Sequence, residues 1–262
     1  MFETITIAQD TRGVARLVLN RPEKHNTLSA TMIAELTEAA ARLGGDASVR
    51  AVVLAAEGAS FCAGGDLSWM RAQIDGGPVM RREGALALAR MLNALDTLPK
   101  PLIGRVQGQA FGGGIGMMSV CDLCIGVGGA RFGLTETKLG LIPATISPYV
   151  VARIGAAAAR RHFMAARLFD SAEAHRIGLL HAVVSPDELD AAVEAEVAPI
   201  LACAPGAVAD AKALVARLGP QVDEALISDT ADLLIRRWES PEAAEGIAAF
   251  FGKRPPAWAS RG

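Results

Sequence analysis

Apolar positions recur along this chain with two different periods. Residues 4–8 and 14–19 are short β-rich stretches, and Asp10-Thr11-Arg12-Gly13 between them is a turn signal. Residues 20–26 are polar and read as a loop. Met32, Ile33, Leu36, Ala40 and Leu43 then fall at helical spacing behind Ser29, a good N-cap residue, and Gly44-Gly45 marks the expected end of that helix. Residues 49–55, 101–106 and 123–127 are short apolar runs, the pattern of strands covered on both faces. Between them, a small-residue loop over 58–67 turns into a helix near Asp66, and 79–97 is helical by pattern, broken by Pro99 and Pro101. The glycine-rich stretch 107–116 runs into an apolar helix, and Phe132 starts a loop that carries Glu136 through Pro143 to Pro148. Helical patterning then dominates over 156–166, 171–177, 186–202, 205–218, 223–239 and 241–250, interrupted by an edge strand at 180–184.

The pattern predicts an α/β protein: strand–strand–helix units over residues 1–200, holding the site, and a helical region over 201–262, forming one continuous unit. No linker composition and no fine-period repeat divides it. Hydrophobic residues make up 51% and charged residues 21% of the 262, enough for a sizeable core and too apolar for disorder. The net charge of -2 offers no basic field for phosphate backbones, and 5% aromatics offer little base stacking, so nucleic acid is not an expected partner. No signal-peptide pattern and no apolar run of about 18–20 residues is evident, so no membrane partner and a cytoplasmic location are expected. Cys62, Cys121, Cys124 and Cys203 make no disulfide framework for this length. The lone Cys121-x-x-Cys124 sits among apolar neighbours and reads as buried structural thiols. None of His25, His162, His175 and His181 has metal-ligand spacing, and no metal is expected.

Two glycine loops carry the chemistry. Each is a strand end, then small residues, then a helix start. Free amides at a helix N-terminus carry partial positive charge, and glycine lets a ligand approach closely. Two such loops on adjacent strands could aim two amides at one oxygen, as in an oxyanion hole; tight packing is the alternative. Neither loop has the P-loop pattern, and 111–116 does not keep the dinucleotide-binding spacing.

Ser60-Phe61-Cys62-Ala63-Gly64-Gly65-Asp66-Leu67 and Gly108-Gln109-Ala110-Phe111-Gly112-Gly113-Gly114 resemble the two signature loops of the enoyl-CoA hydratase/isomerase (crotonase) family. Leu19-Asn20-Arg21-Pro22 to Asn26-Thr27-Leu28 is similar to its coenzyme A loop. Phe132-Gly133-Leu134-Thr135-Glu136 to Gly140-Leu141-Ile142-Pro143 is similar to its catalytic-glutamate segment, and 250–256 to its C-terminal segment. The resemblance implies a crotonase-like spiral of ββα units with a helical C-terminal trimerisation region, assembled as a homotrimer or dimer of trimers. It implies an acyl-CoA substrate and no separate cofactor, coenzyme A being part of the substrate. Gly65 and Gly113 are the implied oxyanion donors, and Glu136 the residue acting on the acyl chain. Lys24, Ala63, Leu67, Phe250 and Lys253 are implied coenzyme A contacts, the last two lent to a neighbouring subunit. Trp69, Met70, Gly112, Gly116 and Pro143 complete the implied substrate surface.

Apolar Phe132, Leu134, Leu139 and Ile142 around Glu136 predict a raised pKa suited to proton transfer near neutrality. Family hydratases usually carry a second glutamate where this chain has Gly116, and residues 117–120 supply no substitute. Glu136 must then serve both proton transfers, or a substrate group must help. The stretch 136–150 is similar to the methylglutaconyl-CoA hydratase branch and its relative acting on isoprenoid glutaconyl thioesters, whose substrates carry an extra carboxylate. Gly116 is therefore expected to leave room for water or for part of a branched, carboxylated acyl chain. Hydration across the 2,3 double bond is the first reading. A Δ3,Δ2-enoyl-CoA isomerase using Glu136 alone is the second, and a non-catalytic acyl-CoA- or RNA-binding protein the third. Arg71, Arg81 and Arg82 follow the first loop and are candidates to dock the substrate carboxylate, but each reads first as a surface charge.

Overall fold

The computed structural model describes residues 2–259. β1 (Ile5–Gln9) and β2 (Val14–Leu19) form an antiparallel hairpin. A 3-10 turn at Pro22–Lys24 leads to α1 (Ala30–Gly45), where the Met32 amide donates to the Ser29 hydroxyl at 3.2 Å. Gly44 and Gly45 lie inside its last turn rather than beyond it, because the chain leaves the helix through extended Asp46 and not through a left-handed glycine.

Three units follow, each placing one strand in each of two sheets. The first is β3 (Ala51–Ala56), β4 (Ser60–Cys62), α2 (Leu67–Asp75) and α3 (Gly77–Asp96). The second is β5 (Leu102–Val106), β6 (Gln109–Phe111) and α4 (Gly113–Val120). The third is β7 (Leu123–Val127), β8 (Arg131–Gly133), a 3-10 turn at Glu136–Leu139, and α5 (Ser147–Ala165). The remainder is β9 (Phe169–Asp170), α6 (Ser171–Arg176), β10 (Ala182–Val184), α7 (Leu189–Leu201), α8 (Pro205–Leu218), α9 (Glu224–Trp238) and α10 (Pro241–Phe251).

The large sheet has the order β1-β2-β3-β5-β7-β10 and is parallel from β2 onward. Every residue of β3 is buried, as its continuous apolar run predicts. The small sheet has the order β4-β6-β8-β9, with β4, β6 and β8 parallel. Its strands fall where the sequence reading has loops, including the stretch from Phe132: two or three residues are too few to show a period. α5 also starts nine residues earlier than the expected 156, with Pro148 in its first turn, where the missing amide has no partner to lose. Gly155, at φ 74°, kinks this helix, and the predicted 156–166 segment is its second half.

The last helices close over the units. α9 packs along α3, where Ala85, Leu86 and Ala89 meet Ile227 and Ala231. α10 folds back on the 136–139 turn, and Arg237 clamps the pair by donating from Nε and Nη2 to the Gly140 carbonyl at 3.1 and 2.8 Å. Among the described residues no single helix is long and apolar enough to cross a membrane. The last three residues of the 201–262 region lie outside the described residues.

Candidate active site

Parallel β4, β6 and β8 are in register, Cys62 beside Ala110 and Phe111 beside Gly133. Their carboxyl ends therefore deliver three segments to one edge: Ala63-Gly64-Gly65, Gly112-Gly113, and Leu134-Thr135-Glu136. In the first, the Leu28 amide donates to the Gly64 carbonyl at 2.8 Å and the Asp66 amide to the Leu28 carbonyl at 3.0 Å. Successive amides of an extended chain point to opposite sides, so the Gly65 N–H between them faces away from Leu28. Among the described residues it has no acceptor.

Asp66 ties this loop down. Its carboxylate accepts from the Ser68 and Trp69 amides at 2.9 and 3.1 Å, capping α2, and from Arg21 Nη2 at 3.0 Å. Burial opposes ionisation of Asp66, yet the Trp69 amide, the Arg21 guanidinium and the Ser68 amide outweigh it and hold the carboxyl below the usual range.

In the second segment Gly112 has φ 49° and ψ −115°, a conformation that strains any side chain, and its amide donates to the Gly133 carbonyl at 3.0 Å. Gly113 then opens α4 as its first residue, where an amide has no carbonyl four residues back. A Cβ on Gly112 would lie 3.0 Å from Glu136 Oε1, so the carboxylate sits directly against the second loop. Burial pushes the Glu136 carboxyl up to about 7. Its Oε2 is buried with no hydrogen-bond partner among the described residues.

Gly65, Gly113 and Glu136 line one cavity of about 540 Å³. Ala63, Leu67, Trp69, Met70, Gly112, Pro143 and Phe250 line it too. Lys24 and Lys253 are exposed and do not. Phe250 faces the cavity of its own chain, because α10 folds back on the turn that carries Glu136.

Gly116 requires a correction: it opens no space. It is buried, and a Cβ there would lie 2.6 Å from Ile146 Cγ2 and 3.6 Å from Leu92 Cδ1. Ile146 itself lines the cavity, so an apolar side chain occupies the path a second carboxylate would take. The wall also extends beyond residues 1–200, since α9 contributes Leu234, Ile235 and Trp238. Their apolar spacing signals a buried face but not what it covers.

Of the three arginines after the first loop, Arg71 and Arg82 are exposed and Arg81 is half-buried. Arg82 pairs with Asp232 at 3.0 Å, and the Arg71 guanidinium lies 4.7 Å from the Phe251 ring centre. Arg81 lines the cavity. The Cys121 and Cys124 thiols are buried and donate to the Met117 and Met118 carbonyls at 3.2 and 3.3 Å, matching the structural reading of that pair.

Known proteins share this fold. Residues 9–261 match the enoyl-CoA hydratase/isomerase family. A putative enoyl-CoA hydratase of Thermus thermophilus is 34% identical over 93% of this chain and 96% of its own length. The crystal structure of an enoyl-CoA hydratase from Mycobacterium avium superposes with a TM-score of 0.85 at 32% identity, over 98% of this chain and 100% of that one. Pseudomonas aeruginosa AtuE superposes with a TM-score of 0.80 at 38% identity, again over 98% and 100%. With its two glycine loops and its glutamate converging on one apolar cavity, this chain is an enzyme that belongs to the enoyl-CoA hydratase/isomerase, or crotonase, family.

Proposed function

We propose that the enzyme hydrates the 2,3 double bond of an enoyl-CoA thioester, with a branched acyl chain that carries a carboxylate, as in methylglutaconyl-CoA. The observation that carries this reading is the placement of Glu136 Oε1 against Gly112, the residue before the free Gly113 amide. The thioester oxygen accepts from the Gly65 and Gly113 amides. As water adds to the β-carbon, ionised Glu136 takes its proton, and negative charge moves to that oxygen as the enolate. The Glu136 carboxyl then returns the proton to the α-carbon, restoring the thioester. Two amides in a water-poor cavity stabilise the enolate more than the ground-state carbonyl, which is what accelerates the step.

A second reading rests on Ile146. With the second-carboxylate position filled, Glu136 is the only carboxylate on the cavity wall among the described residues. One carboxylate suffices to move a proton between C4 and C2 of a 3-enoyl-CoA. Loss of conjugated enoyl absorbance with 3-methylglutaconyl-CoA, beside crotonyl-CoA and with Glu136→Gln as control, separates the two. Glu136-dependent loss favouring the branched diacid supports hydration. Gain of conjugated absorbance from a 3-enoyl-CoA, with no loss from either 2-enoyl thioester, supports isomerisation. Acyl-CoA binding without either change supports a non-catalytic carrier.

The enzyme is further proposed to assemble as a trimer or a dimer of trimers. Leu214, Val215 and Leu218 on α8 are exposed, an apolar surface that a second copy would cover. Light scattering reads this directly, and a monomer at micromolar concentration contradicts it.

A further inference from the structure

Besides Glu136, two charged side chains line the cavity, Lys138 and Arg81. Lys138 is exposed on the same short turn as Glu136, whereas Arg81 is half-buried at the start of α3. Its guanidinium is held in place: Nε donates to the Gln73 carbonyl at 3.0 Å and Nη2 to the Ile74 carbonyl at 2.8 Å. Gln73 is buried behind it, its side-chain amide oriented to donate to the Met80 carbonyl at 2.7 Å and to accept from Trp69 Nε1 at 3.1 Å. A guanidinium carries five N–H donors in a rigid plane that matches a carboxylate. Arg81 Nη1 donates to nothing among the described residues, and Arg81 has no ion-pair partner there. Trp238, on the same cavity wall, likewise keeps an indole N–H without an acceptor.

Arg81 also shares its cavity with Gly65, Gly113 and Glu136. Arg81, Ala85 and Leu88 all line the cavity, at i, i+4 and i+7 on one face of α3. Leu92, the next residue on that face, reaches the Gly116 position one turn into α4.

We propose that Arg81 is a specificity-determining residue that binds the distal carboxylate of the acyl chain through its unused guanidinium donors. This rests on the carboxylated-substrate reading above and adds the residue that enforces it. The otherwise apolar cavity disfavours an unpaired anion, so the discrimination is carried by one fixed cation.

The test compares 3-methylglutaconyl-CoA with its uncharged analogue 3-methyl-2-hexenoyl-CoA, in the wild type, Arg81→Met and Arg81→Lys. Inhibition by glutaryl-CoA and hexanoyl-CoA gives a readout free of turnover. Arg81→Met is expected to lower kcat/KM for the diacid thioester about 10- to 100-fold, mostly through KM, and to weaken glutaryl-CoA alike. The uncharged pair should change less than about threefold, and Arg81→Lys should recover part of the loss. Equal losses on both pairs would mean that Arg81 serves only to hold the end of α2, and no loss on either would also overturn the proposal. The wild-type ratio stands apart: a preference for the uncharged thioester refutes the carboxylated-substrate reading itself, whatever the variants do.

Discussion

The two sheets of this enzyme are held by different forces. The large sheet is scaffold: β3 is buried at all six positions, and Leu17, Leu54 and Leu102 have no exposed surface. The small sheet has two- and three-residue strands, too short to be secured by apolar burial alone, and polar side chains stitch its edge instead. Asn26, fully buried, donates from Nδ2 to the Glu57 and Ser60 carbonyls at 2.8 and 2.9 Å. Gln107 Nε2 donates to the Gly58 and Ser60 carbonyls at 3.0 and 3.1 Å, and Gln109 Nε2 to the Ser60 hydroxyl at 3.1 Å. Directional bonds fix where β4 ends, and hence where the Gly65 amide points. Burial supplies the stability and hydrogen bonds supply the aim.

Substitutions in the two sheets should therefore separate stability from activity. The largest effect is expected from Glu136→Gln at the edge of the small sheet, which should lower kcat/KM about 10²- to 10⁴-fold with the fold intact, read by steady-state kinetics and circular dichroism. The same variant should gain stability at high pH. With the folded pKa at about 7, against an ordinary 4.5, the native state holds the proton more tightly than the unfolded chain. Glu136 therefore subtracts stability as pH rises from about 4.5 through 7. Thermal melts should place Glu136→Gln above the wild type at pH 8 and level with it at pH 4.

Leu54→Ala in the large sheet should cost about 2–5 kcal/mol of stability, with the turnover of the folded fraction unchanged. Denaturant unfolding and active-site-normalised kinetics check both halves. Asn26→Ala should lie between the extremes, losing about 1–3 kcal/mol as the Glu57 carbonyl and the Arg21 amide lose their side-chain partner, and also losing activity as the first loop shifts. If it proves as silent in turnover as Leu54→Ala, the stitching does not aim the amide. The smallest effect is expected at Ser29→Ala, which removes the cap of α1, at about 1 kcal/mol by denaturant unfolding.

The same division decides what could be read in the sequence. Strands β3, β5 and β7 and most helices announce themselves because apolar periodicity reports burial, and burial holds them. The small sheet does not, because 60–62, 109–111 and 131–133 are too short for any period. Its products were legible all the same: the two glycine loops and Glu136 stand out through their residue types and their family resemblance. Contacts between residues distant in sequence were not. Nothing local in Gly116 reveals that Ile146, thirty positions on, fills the space beside it. Arg81 looks like its neighbour Arg82 until α9 packs along α3, pairs Arg82 with Asp232, and leaves Arg81 facing the cavity. The positive φ of Gly112 was signalled by glycine, but the Glu136 carboxylate that crowds this position belongs to the tertiary structure.

The most direct test of Glu136 as an ionised base beside two free amides is the pH dependence of kcat/KM for the wild type between pH 5 and 9. Burial that raises the carboxyl to about 7 predicts a half-maximal rate near that pH, a plateau above it, and a roughly tenfold fall per unit below it, absent from Glu136→Gln. A profile flat across neutrality, or one whose midpoint lies near the ordinary glutamate value, would contradict it.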